Sequence, residues 1–378
     1  MSEPLMTRVR DWLWSIRENK KAQLWLMVSV TFVLIIILAV VLIVANNNKK
    51  QSGDVQDIEL NIDDTLNDDQ LRSRRIDGVG VVAGKENLFP VAIMVENLVT
   101  VRPQSGLQGA QVVYETLAEG GITRFMAIYT SGTPLEEITP VRSARHYFVD
   151  WAEEYRALYV HAGGSPQALN ALYNNEKVID LSQISGDHAY FWRDDSIAAP
   201  HNLLTSTELL SYALRDKGYE GVEGSFDPWL FEKQAAKEDR PTDVRNIIIP
   251  FSSASYETEY SYDRELNAYT RRNGGEEHID ALTGEPITVR NVVVQYASTS
   301  LLESDTGRLD IRTQGEGDAV VFRNGVATYG RWKKALEDDR TRFYDETGTE
   351  VRFIPGNIWV EVVPDDRTIE VDVADRVY

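Results

Sequence analysis

The 378-residue chain has no cysteine. That excludes zinc–thiolate centres, thiol catalysis, disulfides and lipidation through a thioether. A body of this size buries enough apolar surface to fold without cross-links. Histidine is scarce, at five residues. His278-Ile279-Asp280 puts two ligand-type side chains on one strand face with no third nearby, so no metal is expected. There is no phosphate-loop, dinucleotide or zinc-protease motif and no internal repeat, and no cofactor is expected. Basic residues are few against acidic ones, 39 to 59, for a net charge of −20. Such a chain does not bind nucleic acid through bulk electrostatics, so any anionic ligand must be held by a local cluster of arginines.

One stretch lacks charge altogether. Residues 24–44 run 21 positions with only Ser29 and Thr31 polar. As a helix this is about 30 Å long, the thickness of a bilayer's hydrocarbon core. Arg8, Arg10, Arg17, Lys20 and Lys21 precede it, and only Lys49 and Lys50 follow closely. Basic flanks stay inside, so the expected localisation is the cell membrane, single-pass, with a cytoplasmic N-terminus and the remainder extracytoplasmic. Trp12, Trp14 and Trp25 suit the inner interface. The alternative is a cleaved signal, whose apolar core is shorter, roughly 7–15 residues. Val44-Ala45-Asn46 is a poor cleavage site, which favours a retained anchor. The first 44 residues are net positive by two, leaving −22 on the rest.

The expected organisation is a basic segment at 1–23, the span at 24–44 and a disordered acidic tether at 45–75. An α/β domain follows at 76–222, with a mixed sheet and helices. A connector at 223–245 leads to a β-rich domain at 246–366 and a tail at 367–378. In the α/β part, residues 91–95, 112–117 and 122–129 read as strands, the last two joined by the hairpin signal Glu119-Gly120-Gly121. Ala144, Tyr147, Phe148, Trp151 and Tyr155 share a helical face, with Ser143 as the expected cap. Residues 157–161 are a strand again. Ser165 and Pro166 are then placed as N-cap and first residue of a second helix. This strand–helix–strand order predicts that 122–129 and 157–161 are parallel. Ser206 caps a helix within 201–218. Residues 220–245 hold glycine, proline and charge and few apolar anchors. Beyond them, strands are expected at 247–250, 257–262, 268–272, 289–296, 319–322, 326–332, 342–344 and 358–363, separated by glycine turns.

Parallel strands present their carboxyl ends at one sheet edge, where open α/β sheets bind ligands. That would bring Val141-Arg142-Ser143-Ala144-Arg145 beside His161-Ala162-Gly163-Gly164-Ser165, each at a helix N-terminus that favours an anion. Arg142, Arg145, His161 and the Gly163-Gly164 backbone, joined by Arg193 and His201, are the candidate ligand-binding residues. The alternative is that Arg142 and Arg145 pair with nearby acids and the glycines make a turn. Ser165, with acids and then His201 downstream, has the order of a hydrolase triad. Against that, Gln167 stands where the motif wants glycine, and Pro166 has no N–H to offer an oxyanion. Ser165, His161 and His201 remain the only catalytic candidates. Asp187, His188 and Arg193, with Tyr190, Phe191 and Trp192, form either a sugar-stacking wall or a packed loop.

Ordered motifs run along most of the chain. They are Arg102-Pro103-Gln104-Ser105-Gly106-Leu107, Glu119-Gly120-Gly121-Ile122-Thr123-Arg124-Phe125, Val141-Arg142-Ser143-Ala144-Arg145, His161-Ala162-Gly163-Gly164-Ser165 and Pro200-His201-Asn202. Further on come Asn291-Val292-Val293-Val294-Gln295, Gly330-x-Trp332 and Pro355-Gly356-Asn357-Ile358-Trp359. In these the chain resembles the YerB-like family of bacterial envelope proteins, over roughly residues 76–363. The resemblance implies a two-part extracytoplasmic domain and no particular activity. Members are often anchored through a cysteine, which this chain lacks.

Together these readings lead to an extracytoplasmic binding or scaffolding protein of the cell envelope that recognises an anionic or glycan wall ligand, with an envelope protein as a further partner. The alternatives are an enzyme acting on wall polymers or precursors, with His161 or His201 as acid/base, and a partner-docking protein without a small-molecule site.

Overall fold

The computed structural model describes residues 71–373, except 174, 243–244, 304 and 338. The predicted basic segment, the span at 24–44 and most of the tether lie outside the described residues. The described residues all fall within one compact unit. Among the described residues, no helix is long and apolar enough to cross a membrane.

Among the described residues strands predominate, with three short α-helices. In chain order the main elements are β1 (Pro90–Glu96), β2 (Val112–Leu117), β3 (Thr123–Thr130), α1 (His146–Glu153), β4 (Leu158–His161), α2 (Pro166–Tyr173), β5 (Ile179–Ser182) and α3 (Thr207–Asp216). There follow β6 (Arg245–Pro250), β7 (Glu257–Asp263), β8 (Ala268–Asn273), β9 (Asn291–Ala297), β10 (Gly315–Arg323), β11 (Val326–Lys334), β12 (Arg342–Asp345), β13 (Ile358–Pro364) and β14 (Glu370–Val373). Ten strands form one mixed sheet in the order β12-β11-β10-β9-β13-β2-β3-β1-β4-β5. Strands of the first part of the chain thus continue hydrogen-bonding into strands of the second. The junction is β13, parallel both to β9 and to β2. A second sheet holds β8, β7, β6 and β14 side by side.

Strands β2, β3, β13 and most of β1 are buried on both faces, as their near-continuous apolar runs require. One face of the large sheet packs against the second sheet, through Ile247, Ile249, Tyr260, Tyr269 and Val289, and against Leu210 and Leu214 of α3. The other is covered by α1 and α2 and by Phe226 and Trp229. Trp229 and Phe226 therefore fasten the glycine-rich stretch that the sequence left without anchors, and Trp229 Nε1 donates to Thr341 O at 2.8 Å.

Two local expectations are corrected. β3 is antiparallel to β1, and β4 is parallel to β1, so β3 and β4 run in opposite directions. The β3–α1–β4 stretch is not a parallel crossover, because β1 lies between its strands. Ser143 also does not cap α1. The helix starts after Arg145 without a side-chain cap, and Ser143 Oγ donates to Ala162 O at 2.9 Å.

Candidate functional site

β1 ends in Glu96, which is 4% exposed. Its direction is shared by β4, so their carboxyl ends reach the same edge. The chain arrives there a second time by an unexpected route. After β3 it returns along the sheet, pairing Ser105 with Thr139 and Val95 with Val141 through isolated bridges. Glu96 N donates to Pro140 O at 3.0 Å, and Arg142 N donates to Met94 O at 2.9 Å. This return places 141–145 against 161–165. Ala162 N donates to Arg142 O (3.0 Å), Ala144 N to Gly163 O (2.8 Å) and Ser165 N to Ala144 O (3.2 Å).

Glu96 is the centre of the cluster. One carboxylate oxygen lies 2.8 Å from His201 Nδ1, and the other lies 3.1 Å from Arg142 Nε. The Arg142 contact is an ion pair that lacks hydrogen-bond alignment. The side chains of His201 and Arg142 are 25% and 22% exposed, against 5% for Glu96. A buried carboxylate thus grips the inner ends of two groups whose outer ends meet solvent. Among the described residues, His201 Nε2 and the terminal nitrogens of Arg142 have no hydrogen-bond partner.

The other candidate residues are engaged within the protein. Arg145 is bidentate on Glu119, at 2.5 Å for each contact, and also donates to Ala144 O. Burial works to raise the Glu119 carboxyl, but the hydrogen bonds and charge of Arg145, aided by Arg124, hold it below the usual value. Arg124 is buried and donates to Ser143 O at 2.8 Å. Burial first, and then its arginine neighbours, bring it down to about 10, so it stays cationic at neutral pH. His161 is fully buried, with Nδ1 2.7 Å from Gly163 O and Nε2 2.7 Å from Asp180. Neither ring nitrogen is left for a ligand or for acid/base work.

Gly163 has φ +67, and a Cβ there would lie 2.8 Å from Ile184 Cδ1. At Gly164 a Cβ would press on Ala144 at 3.2 Å. The glycine pair lets the two loops meet. Ser165 Oγ accepts Ala168 N–H at 3.2 Å, which is a helix cap. Arg193 is exposed and donates to Asn202 Oδ1 at 2.7 Å. Tyr190 binds Asp216, His188 faces Gln183 O, and Lys217 pairs with Asp187, while Phe191 is buried and Trp192 is 37% exposed.

Two features were not anticipated. Glu96 is one; its signal was a single acid closing an apolar run. The other is a polar network between the sheets. Arg271 of β8 is fully buried and donates to Glu115, to Thr258 Oγ1 (3.0 Å) and to Tyr260 Oη (3.2 Å), and it lies 4.7 Å over the Trp359 ring. Tyr260 donates to Glu361. Burial, then the neighbouring Glu115, pushes the Glu361 carboxyl well up. His278 accepts from Arg271 and sits 2.9 Å from Gln104 Oε1. Burial, then Arg271, holds it well below the usual imidazole value, so it is neutral. Asp280 accepts the backbone N–H groups of Gly106, Gln108 and Leu282. The pair His278 and Asp280 therefore serves the fold.

Comparison with known proteins defines the class. Residues 78–220 match the N-terminal domain, and residues 211–360 the C-terminal domain, of a protein family of unknown function designated DUF3048. The chain belongs to this family. It is similar to "Putative lipoprotein YerB" of Bacillus subtilis, with 35% identity over 277 residues, 73% of this chain and 81% of the relative. The crystal structure of the B. subtilis YerB protein superposes with a TM-score of 0.71 at 30% identity, covering 80% of this chain and all of the other.

The relative's name corrects the localisation read from residues 24–44. A lipoprotein is held at a membrane by lipid, not by a helix across it; residues 24–44 themselves lie outside the described residues. The single-pass assignment is withdrawn.

Proposed function

We propose that this is an envelope-associated binding protein whose site, at the carboxyl ends of β1 and β4, recognises an anionic group such as the phosphate or carboxylate of a wall glycan. The envelope association rests on the similarity to a protein named as a lipoprotein. The binding role rests on one observation: Glu96 fixes Arg142 and His201 together while leaving their outward nitrogens without partners among the described residues. A guanidinium with unoccupied terminal donors suits an oxyanion, and the imidazole beside it adds a second directed donor. Arg145, Arg124 and His161 hold the loops that carry this pair.

The test is calorimetric titration of the full chain with N-acetylglucosamine 1-phosphate and with muramyl dipeptide. Binding that weakens about tenfold or more in Arg142→Ala, with the melting temperature kept, supports the reading. Equal binding by the variant removes it.

One observation favours a second reading. His201 bound through Nδ1 to a buried carboxylate, with Nε2 facing outward, is the arrangement of an oriented general acid or base. The enzyme reading predicts turnover of a wall polymer or precursor that is lost in His201→Ala and retained in Ser165→Ala. Mass spectrometry of the reaction mixture decides it.

A further inference from the structure

The sheet edge that carries the Arg142–Glu96–His201 cluster is apolar on both sides of it. Strands β1, β4 and β5 are parallel neighbours, so Glu96, His161 and Ser182 end them in a row. Ile184 follows β5 at the far end of that row, about 10 Å from Glu96 at the usual strand spacing. A Cβ on Gly163 would lie 2.8 Å from Ile184 Cδ1, and one on Gly164 would lie 3.3 Å from Leu169 Cδ2. These two side chains therefore sit over the glycine loop, yet Ile184 is 66% exposed and Leu169 42%.

The other side is a closed loop. Asp194 N donates to Asn202 O at 3.0 Å, which ties its ends together. Its crown, Ile197-Ala198-Ala199-Pro200, is exposed at every position and runs directly into His201. His201 N donates to Ala198 O at 3.1 Å, which holds the crown against the imidazole.

A single exposed apolar side chain is ordinary on a protein surface. Here three separate segments bring them to one edge, around a guanidinium and an imidazole whose outer nitrogens have no partner among the described residues. The occupant needs an anionic head and an apolar body. An anionic bilayer surface does not suit, because the chain carries a net charge of −20 and Asp194 and Asp195 stand in the loop itself. One headgroup needs only the local pair.

We infer that this edge binds one alkyl phosphate, its head on Arg142 and His201 and its hydrocarbon chain across the glycine loop onto Leu169 and Ile184. The inference rests on the anion-binding reading of the site and adds that the anion is carried by a lipid. The terminal nitrogens of Arg142 and Nε2 of an imidazolium make three donors, which match the three free oxygens of a phosphate monoester better than the two of a carboxylate.

The probes are alkyl phosphates of one, four, six and eight carbons, titrated into the full chain and read at the amides of Gly163, Ile184 and Ala198. Methyl phosphate is expected to bind in the millimolar range. Each further methylene should tighten binding about twofold, half of what full burial gives. Leu169→Gln/Ile184→Gln, at exposed positions and with the melting temperature kept, should flatten the series and leave methyl phosphate unchanged, and Arg142→Ala should weaken every member. Methyl phosphate binding with no dependence on chain length would overturn the lipid inference and leave the anion site standing, whereas no binding by any phosphate would overturn both. An undiminished series in the double variant, or octanoate binding as tightly as octyl phosphate, would also overturn the assignment. Shifts of the same amides on concentrating the protein alone would give the apolar rim to a second copy of the chain.

Discussion

Glu361 stands directly opposite Glu115 on the neighbouring parallel strand, and both carboxyl groups are fully buried. One cation, Arg271, serves the pair by donating to Glu115, while Tyr260 donates to Glu361. Two like charges cannot share such a place, and Glu361 is the one held neutral.

The pH dependence follows from that. A carboxyl raised in the folded state keeps a proton that the unfolded chain releases. Its contribution is complete below the unfolded value and is lost as pH climbs towards the folded one. Wild-type melting temperature should therefore fall relative to Glu361→Gln as pH rises from the acid range to neutrality. Parallel curves for the two proteins would show that Glu361 is charged in the fold.

Glu115→Gln has the opposite character. It leaves Arg271 buried beside a neutral partner, with a cost of about 3 kcal/mol or more. Chemical denaturation of the two variants at neutral pH should separate them clearly, with Glu115→Gln the less stable.

Arg142 and Arg145 should behave differently although only two residues lie between them. Arg145→Ala breaks a partly buried bidentate pair with Glu119 and should cost about 1–2 kcal/mol without touching the proposed ligand donors. Arg142→Ala should cost less stability and more binding. The comparison needs denaturation and titration on both variants; a binding loss in Arg145→Ala equal to that in Arg142→Ala would mean that the site is wider than drawn.

Ser165→Ala should lower stability by about 1 kcal/mol, as expected for a lost helix cap, and change nothing else. Loss of any activity at retained stability would restore Ser165 as a nucleophile.

Trp229→Ala should cost about 3 kcal/mol or more, since the indole is buried against Phe353 and lies 3.8 Å from the Arg340 guanidinium, which Tyr155 flanks on its other side. Within residues 76–373 of the wild type, trypsin should cut first in the exposed stretch around Lys233 and Lys237. A first cut inside 91–161 would contradict this picture.

Local pattern made much of the fold legible. The hairpin at Glu119-Gly120-Gly121, the buried face Tyr147-Phe148-Trp151 of α1, the Ser206 cap of α3 and the strands from Ile247 to Val363 all follow from periodicity and turn residues. Strand direction did not. That β1 would lie between β3 and β4 depends on pairings that no local signal carries. The two loops meet as expected, but because the chain doubles back through Val141, not because their strands are parallel. Glu96 escaped notice because the apolar run that defined its strand stopped at Val95. The Arg271 network escaped because its members come from strands far apart in sequence, as with Glu115, 156 residues away.

The place of β13 governs how this chain can be assembled in time. Residues 358–364 are made after both of their partners, yet they occupy an inner position of the sheet, with β9 on one side and β2 on the other. Until they arrive, both neighbours present a bare row of backbone donors and acceptors. A nascent or truncated chain that stops short of Ile358 should therefore be sticky and depend on chaperones, and late closure by a distant segment makes folding slow. Resistance to protease should appear in one step as β13 seats, and not in two steps as each half is completed.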